Sequence, residues 1–354
     1  MSVRAALIAF LLLVNSAQGQ GFADLGRDAE GFAVPVPDTA FDFPRDHGAH
    51  PEYRIEWWYL TATLTGADGR DYGLQWTLFR SALRPEGGEG WGDTPQIWMG
   101  HAGLTTPDAH FVAERLSRGG IGQAGVTIDP FAAWIDDWRM ESQAEDGADA
   151  LSALTLTARG QDFAYDLTLT ANGPIVPQGD NGYSVKSASG QASYYYSQPF
   201  YEVAGVLDLP DGPIDVAGQA WLDREWSSQP LEADQTGWDW FSLHFDDGAK
   251  LMGFGLRQED GDVYTSATWI EPDGAPTPYG DGALILTPLA TEEVAGREVP
   301  VEWRLELPDR GIDIETRPLN PQSWMDTLFP YWEGPIRFSG SHEGRGYLEM
   351  TGYQ

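Results

Sequence analysis

Alternation of apolar and polar side chains with a period of two, interrupted by short turns, is the feature that most limits how this chain can fold. In residues 58–65 apolar side chains alternate with polar ones, and residues 72–78 repeat the pattern after a turn at 66–69. Every second side chain of a strand lies on the same face, so this segment predicts a β-hairpin with one buried face. With 42 glycines, 24 prolines and no evident long helical run, the sequence favours an all-β protein.

The hairpin design recurs in the second half of the chain. Residues 238–258 again read as two alternating strands around a turn. Residues 201–202 and 218–223 lie on the first and second strands of one predicted hairpin. Residues 331–333 and 346–349 lie in the same way on the two strands of another. Repetition of this kind predicts two related units. We interpret the chain as two antiparallel β-barrels in tandem, the second a divergent copy of the first.

The polar segment 227–237, which carries proline and glycine, is the predicted boundary between the barrels. The predicted organisation is a signal peptide at residues 1–19, an irregular leader at 20–50, an N-terminal barrel domain at 51–230 and a C-terminal barrel domain at 231–354.

The N-terminus has the pattern of an export signal. Arg4 precedes a short apolar run at 5–14, and residues 17–19 (AQG) form a small-x-small cleavage site. The run is too short for a membrane-spanning helix. We therefore expect a periplasmic or secreted protein without stable membrane insertion. A formal net charge of −33 argues against nucleic acid and anionic membrane surfaces as partners.

Residues 218–228 (GQAWLDREWSS) are the strongest candidate for chemistry. The strand period places Trp221 and Asp223 on one face, so a carboxyl group lies among aromatic rings. Such surroundings raise a carboxyl pKa and make the group a proton donor. Asp223 is therefore the predicted catalytic acid. The alternative is that Asp223 pairs with Arg224 or another arginine and stays ionised.

Two other carboxyl groups belong to the same predicted hairpin as Asp223. Glu202 is the predicted partner acid or base, with a simple ion pair to Arg224 as the alternative. Glu225 faces away from Arg224 in a regular strand and is a weaker candidate.

Four motifs occur in the order expected for one family. They are residues 56–59 (EWWY) leading to 73–80 (GLQWTLFR), then 193–197 (SYYYS), 218–228 and 346–353 (GYLEMTGY). In these the sequence resembles the secreted lipocalin-like family of the AttH proteins, often labelled predicted secreted hydrolases. The carotenoid 1,2-hydratases (CrtC) are its distant members. The resemblance implies paired lipocalin-like domains. Those hydratases have a histidine in the strand that corresponds to 219–221, where this chain has none.

An aromatic-lined site for a small apolar ligand is predicted either inside a barrel or in a cleft between the barrels. The predicted substrate-binding residues are Trp57, Tyr59, Tyr195, Tyr201, Trp221, Trp238, Trp240 and His244. His244 and His101 are also candidate bases, or else structural histidines held by hydrogen bonds. The histidine spacing lacks a zinc motif, and we predict neither a metal nor a cofactor.

Two classes of function remain open. One is an exported enzyme that hydrates, isomerises or hydrolyses a terpenoid- or polyketide-like molecule by carboxylate acid/base chemistry. The other is a non-enzymatic carrier or chaperone of such a molecule, with an envelope ABC transporter as its candidate partner.

Overall fold

The computed structural model describes residues 29–85, 95–229, 231–232 and 234–353, and nearly all their regular structure is β-strand. The helices among these residues are two single 3-10 turns, Arg45–His47 and Pro308–Arg310. The strands are β1 (Ile55–Gly66), β2 (Asp71–Ala82), β3 (Gln96–Thr105), β4 (His110–Arg118), β5 (Ala124–Ile128), β6 (Phe131–Ile135), β7 (Trp138–Ser142), β8 (Ala153–Arg159), β9 (Ala164–Ala171), β10 (Val176–Pro177), β11 (Tyr183–Val185), β12 (Ala192–Leu209), β13 (Gly212–Ser227), β14 (Gln235–Phe245), β15 (Lys250–Gln258), β16 (Val263–Ile270), β17 (Pro276–Tyr279), β18 (Ile285–Val294), β19 (Arg297–Leu307), β20 (Ile312–Pro318), β21 (Trp324–Met325), β22 (Tyr331–Gly340) and β23 (Gly344–Met350). The predicted all-β class is confirmed.

The first thirteen strands form one antiparallel sheet. Its order is β4-β3-β2-β1-β13-β12-β9-β8-β7-β6-β5, with β10 and β11 also paired to β12. The sheet curls into a nearly closed barrel. Alternate apolar side chains such as Trp58, Leu60 and Trp76 fill its interior, and Leu60 lies opposite Trp76 in the predicted hairpin. The inside of this barrel is therefore a packed side-chain core.

The remaining ten strands form a second antiparallel sheet. Its order is β17-β16-β15-β14-β23-β22-β20-β19-β18, with β21 paired to β22, and it makes a half-barrel. Its concave face is packed with buried residues that include Phe241, Leu305 and Trp332. The change of sheet falls between Ser227, where β13 ends, and Gln235, where β14 begins.

The two sheets pack against each other through their outer faces. Tyr59, Tyr195 and Trp221 of the first sheet join Trp240 and Phe254 of the second in one buried cluster. These residues occupy the strand positions that point away from the barrel interior, because neighbouring positions point to opposite faces. Aromatic residues on one face of β1 and β13 therefore pack inside the barrel, and those on the other face pack between the two sheets.

A glycine allows the closest approach between the sheets. A Cβ atom on Gly73 of β2 would clash with the ring of Pro335 of β22. Nearby, Arg337 of β22 donates two hydrogen bonds to Asp71 at 2.6 and 2.8 Å. Substituting the glycine would therefore force the sheets apart at this point.

The described part of the leader closes over residues of the first barrel. His47 of the 3-10 turn is fully buried, and its Nδ1 lies 2.7 Å from the Tyr196 hydroxyl. Glu56 at the start of β1 is fully buried between the guanidinium groups of Arg80 and Arg224. Although burial alone raises a carboxyl pKa, these two cations hold the pKa of Glu56 well below its ordinary value.

Candidate active site between the two sheets

Strand β13 divides its polar side chains between the barrel interior and the cleft between the sheets. Arg224 points inward, where it pairs with Glu56. The flanking residues Asp223 and Glu225 point outward and line a pocket between the sheets. Asp223 and Arg224 are sequence neighbours on opposite faces, so the alternative in which they form a pair does not describe this structure.

The pocket has aromatic walls from both sheets. Its cavity volume is about 100 Å³, and the cleft is partly open to solvent. Its residues are Ile55, Trp57, Tyr59, Phe79, Lys186, Tyr195, Asp223, Glu225, Leu231, Trp238, Trp240, Phe254, Leu256, Tyr331 and Glu349. A largely apolar cleft with a few placed polar groups is typical of a small-molecule site.

Asp223 is the acid at the centre of the pocket wall. Its side chain is almost fully buried. The Tyr195 hydroxyl and the Trp221 indole N–H donate to its two oxygens at 2.6 Å each, and the Ser197 hydroxyl also donates to it. Burial outweighs these three hydrogen bonds and raises the pKa of Asp223 to about 7. The carboxyl group therefore holds a proton up to neutral pH.

An ion pair lies beside Asp223 on the same face. The Lys186 ammonium is 2.9 Å from a Glu225 carboxylate oxygen, and the Ser193 hydroxyl donates to the same oxygen. The ammonium also lies 4.9 Å and 4.3 Å from the ring centroids of Tyr195 and Phe254. Glu225, which the sequence ranked as a weaker candidate, thus lines the pocket as a charged group with its own cation.

The second sheet contributes an equivalent acid that sequence reasoning missed. Glu349 of β23 is half-buried, and the Trp238 indole N–H donates to it at 2.6 Å. Burial raises the pKa of Glu349 to about 7. Its cross-strand neighbour on β22 is Glu333, which accepts a hydrogen bond of 2.5 Å from the Tyr59 hydroxyl. Burial, with the charge of Glu349, raises the pKa of Glu333 well above its ordinary value.

The internal repeat explains why two acids meet. Tyr59 lies opposite Asp223 in the β1–β13 pair, and Trp240 lies opposite Glu349 in the β14–β23 pair. Residues 221–223 (WLD) and 347–349 (YLE) are corresponding segments of the repeat. Each half of the chain therefore supplies one aromatic strand and one acid to a shared pocket. The repeat seen in the sequence is the signal from which Glu349 could have been identified.

Five of the predicted substrate-binding residues line the pocket: Trp57, Tyr59, Tyr195, Trp238 and Trp240. Trp221 lies behind it as a hydrogen-bond donor to Asp223. His244 packs edge-on against Trp221, and its Nε2 lies 3.1 Å from the Pro199 carbonyl oxygen. Burial lowers the pKa of His244 to about 3. His244 therefore supports the wall of the site without lining the pocket.

Tyr201 and Glu202 lie away from the pocket, beyond a β-bulge in β12. The register of β12 against β13 shifts between Gln198 and Tyr201. Tyr201 then points into the first barrel and donates to the Leu151 carbonyl oxygen at 2.6 Å. Glu202 is exposed on the outer surface. A bulge adds one residue to a strand and reverses which side chains face inward, so Tyr201 faces the barrel. Glu202 lies opposite Gln219, four residues along β13 from Asp223.

The described residues show neither a membrane-crossing helix nor a metal-binding cluster. None of their helices is long and apolar enough to traverse a bilayer. Among the same residues, no group of three His, Asp or Glu side chains is arranged to hold a metal ion. The predicted signal peptide at residues 1–19 lies outside the described residues.

The tandem sheets and the aromatic cleft between them define a lipocalin-like protein with an intersheet site. The family model described as AttH-like matches residues 34–353. A crystal structure of a candidate AttH protein from Nitrosomonas europaea is 32% identical, with a TM-score of 0.80, and the match covers 91% of this chain and 100% of that chain. The chain belongs to the AttH-like family.

More distant structures share the fold. Kievitone hydratase from Nectria haematococca is 17% identical with a TM-score of 0.65, over 91% of this chain and 98% of that chain. CghA in complex with Sch210972 is 14% identical with a TM-score of 0.53, over 92% of this chain and 97% of that chain. No curated protein sequence gives a significant match.

Proposed function

We propose that the pocket between the sheets binds an apolar, terpenoid- or polyketide-like molecule and that Asp223 protonates a carbon–carbon double bond in it. Hydration is the reaction that these groups support best. The observation that carries the proposal is a buried carboxyl group with a pKa near 7 in an aromatic-walled pocket. A carboxylic acid that stays neutral at the working pH is a competent general acid.

The surroundings of Asp223 match the demands of such a reaction. The O–H bond of the acid breaks, a C–H bond forms at one alkene carbon, and the other carbon becomes cationic. The faces of Trp57, Trp240 and Tyr195 stabilise positive charge through their ring quadrupoles. The oxygen of a water molecule then bonds to the cation and loses a proton. The Tyr195 and Trp221 donors stabilise the carboxylate left on Asp223.

Location and partners form part of the proposal. The N-terminal export pattern supports action in the periplasm or outside the cell. An envelope ABC transporter is a partner suited to an apolar ligand that has to cross the envelope. The name of kievitone hydratase, which shares the fold, is in keeping with hydration as the reaction class.

The test uses apolar compounds extracted from the protein as purified from its native host. Each compound is returned to the protein in water labelled with heavy oxygen, and incorporation is followed by mass spectrometry. Asp223→Asn should reduce turnover by roughly 100-fold or more while ligand affinity changes little. Glu202→Gln, at an exposed site, is the matched control and should retain activity. Tight binding without turnover in the wild-type protein would instead make it a carrier.

A further inference from the structure

A second chain of buried groups reaches the pocket from the side of the first sheet. His101 of β3 is fully buried, and its cross-strand neighbour on β4 is Glu114. His101 Nε2 lies 3.1 Å from a Glu114 carboxylate oxygen, and Nδ1 lies 3.0 Å from the hydroxyl oxygen of Tyr331. Tyr331 belongs to the second sheet and lines the pocket. The three side chains connect the pocket to the surface, because the Glu114 side chain is 25% exposed.

The hydrogen-bond roles in this chain follow from the carboxylate. Although burial raises the pKa of Glu114, its hydrogen bonds from His101 and the Leu328 N–H bring that pKa below the ordinary value. An ionised carboxylate only accepts, so His101 carries its proton on Nε2 and leaves Nδ1 as an acceptor. The Tyr331 hydroxyl therefore donates to Nδ1, and the Gln75 amide donates to the Tyr331 oxygen at 3.3 Å.

The imidazole is ready to take a proton. Burial, partly offset by Glu114, lowers the pKa of His101 below its ordinary value. The ring lies between the Phe79 ring, in edge contact at 5.3 Å, and the Tyr331 ring, stacked at 5.7 Å. Glu333 is a further hydrogen-bonded neighbour of Tyr331, and burial raises the pKa of its carboxyl group well above the ordinary value. His101, with Glu114 on its far nitrogen, is the base placed behind Tyr331.

We propose that Tyr331 is the proton acceptor of the pocket, with His101 and Glu114 as its positioning residues. The inference deepens the proposed function, on which it rests, by supplying the base that hydration requires. As the oxygen of water bonds to the cationic carbon, a water proton moves to the Tyr331 oxygen and the phenolic proton moves to His101 Nδ1. Glu114 stabilises the imidazolium, and the His101 Nε2 proton then moves through the partly exposed Glu114 carboxylate to solvent. Asp223 regains a proton from solvent, which completes the cycle.

A substrate-independent probe tests the assignment. Phenylmethanesulfonyl fluoride carries an apolar ring suited to the aromatic pocket. Its sulfur forms a bond to a phenolic oxygen and fluoride leaves, provided that a base takes the phenolic proton. We expect mass spectrometry to locate the modification on Tyr331. The rate should rise with pH until His101 is neutral and then stay constant. Tyr59 is the internal control, because its hydroxyl lies in the same pocket but bonds to Glu333.

Variants of His101 and Glu114 show whether these residues activate Tyr331 or only support the structure. His101→Gln should slow the modification of Tyr331 at least ten-fold and abolish its pH dependence, and Glu114→Gln should slow it less. Glu114→Gln alters a partly exposed side chain, so this variant still tests the proposal if His101→Gln fails to fold. Modification of Tyr331 at an unchanged rate in both variants would overturn the proposal. So would modification of Tyr59 in place of Tyr331, or no modification at all.

The same experiment separates this inference from the proposed function. Asp223→Asn should abolish hydration and leave the modification rate of Tyr331 unchanged. Tyr331 could react in a His101-dependent way although neither the wild-type protein nor any variant hydrates an extracted compound. That result would support the activation of Tyr331 and refute hydration as the function. If hydration depends on Asp223 but Tyr331 is not modified in a His101-dependent way, the proposed function is supported and the assignment of Tyr331 as proton acceptor is refuted.

Discussion

Replacing Asp223 with asparagine should stabilise the protein at neutral and alkaline pH. Burial raises the pKa of this carboxyl from 3.8 to about 7. Below pH 3.8 the group is neutral in both the folded and the unfolded chain. As the pH rises toward 7 only the unfolded chain ionises, so the stability of the folded state falls. A shift of about three pKa units corresponds to about 4 kcal/mol, and asparagine removes that loss.

Asparagine can also keep the local hydrogen bonds. Its oxygen can accept from Ser197 and Trp221, and its amide can donate to the oxygen of the Tyr195 hydroxyl, which in the wild-type protein donates to Asp223. Urea denaturation from pH 5 to pH 8 measures the difference in unfolding free energy between the two proteins. Asp215→Asn, at an exposed position of the same strand, should change the free energy of unfolding by less than about 0.5 kcal/mol.

We expect the advantage of Asp223→Asn to grow with pH up to about 7 and then to level off. A constant difference across this range would mean that Asp223 is ionised in the folded protein, and the reasoning about its acidity would fail.

Other substitutions test separate parts of the structure. Arg224→Met leaves the buried carboxylate of Glu56 without one of its two cations and should lower the free energy of unfolding by about 3–5 kcal/mol; an unchanged melting temperature would refute this. Tyr201→Phe should cost about 1 kcal/mol and leave binding of a fluorescent apolar probe unchanged, because this hydroxyl serves the barrel core. Trp57→Ala should weaken binding of the same probe roughly ten-fold. An equal loss of binding in Glu202→Ala would contradict the location assigned to the binding pocket.

Strand alternation was sufficient to predict the fold class and the face of the acid. The period of two placed Trp221 and Asp223 together, and both belong to the cleft side of β13. The alternation could not tell which of the two faces meets a ligand, because aromatic residues occupy both. Trp58 fills the barrel, while Trp57, one position away, lines the pocket. Only the packing of the second sheet makes that distinction.

The errors in the site have local causes. Tyr201 and Glu202 were predicted from their place in the hairpin strand that precedes Asp223, where a bulge changes the register of β12. Pro199 lies in the interval of this register change, and a proline inside a central strand is a sequence sign of a bulge. Glu349 was identifiable from the repeat, but its pocket position depends on how the two sheets meet. Long-range contacts of this kind, such as His101 with Tyr331, are not encoded in local patterns.

Deuterium transfer to carbon tests the central claim most directly. The apolar compound extracted from the protein is incubated with the wild-type protein and with Asp223→Asn in heavy water, and its carbon-bound deuterium is measured by NMR. A neutral Asp223 exchanges its proton with solvent, so the wild-type protein should place deuterium at one alkene carbon of the compound. The asparagine variant should place none. Recovery of the compound without carbon-bound deuterium from the wild-type protein, despite tight binding, would contradict acid catalysis at this pocket.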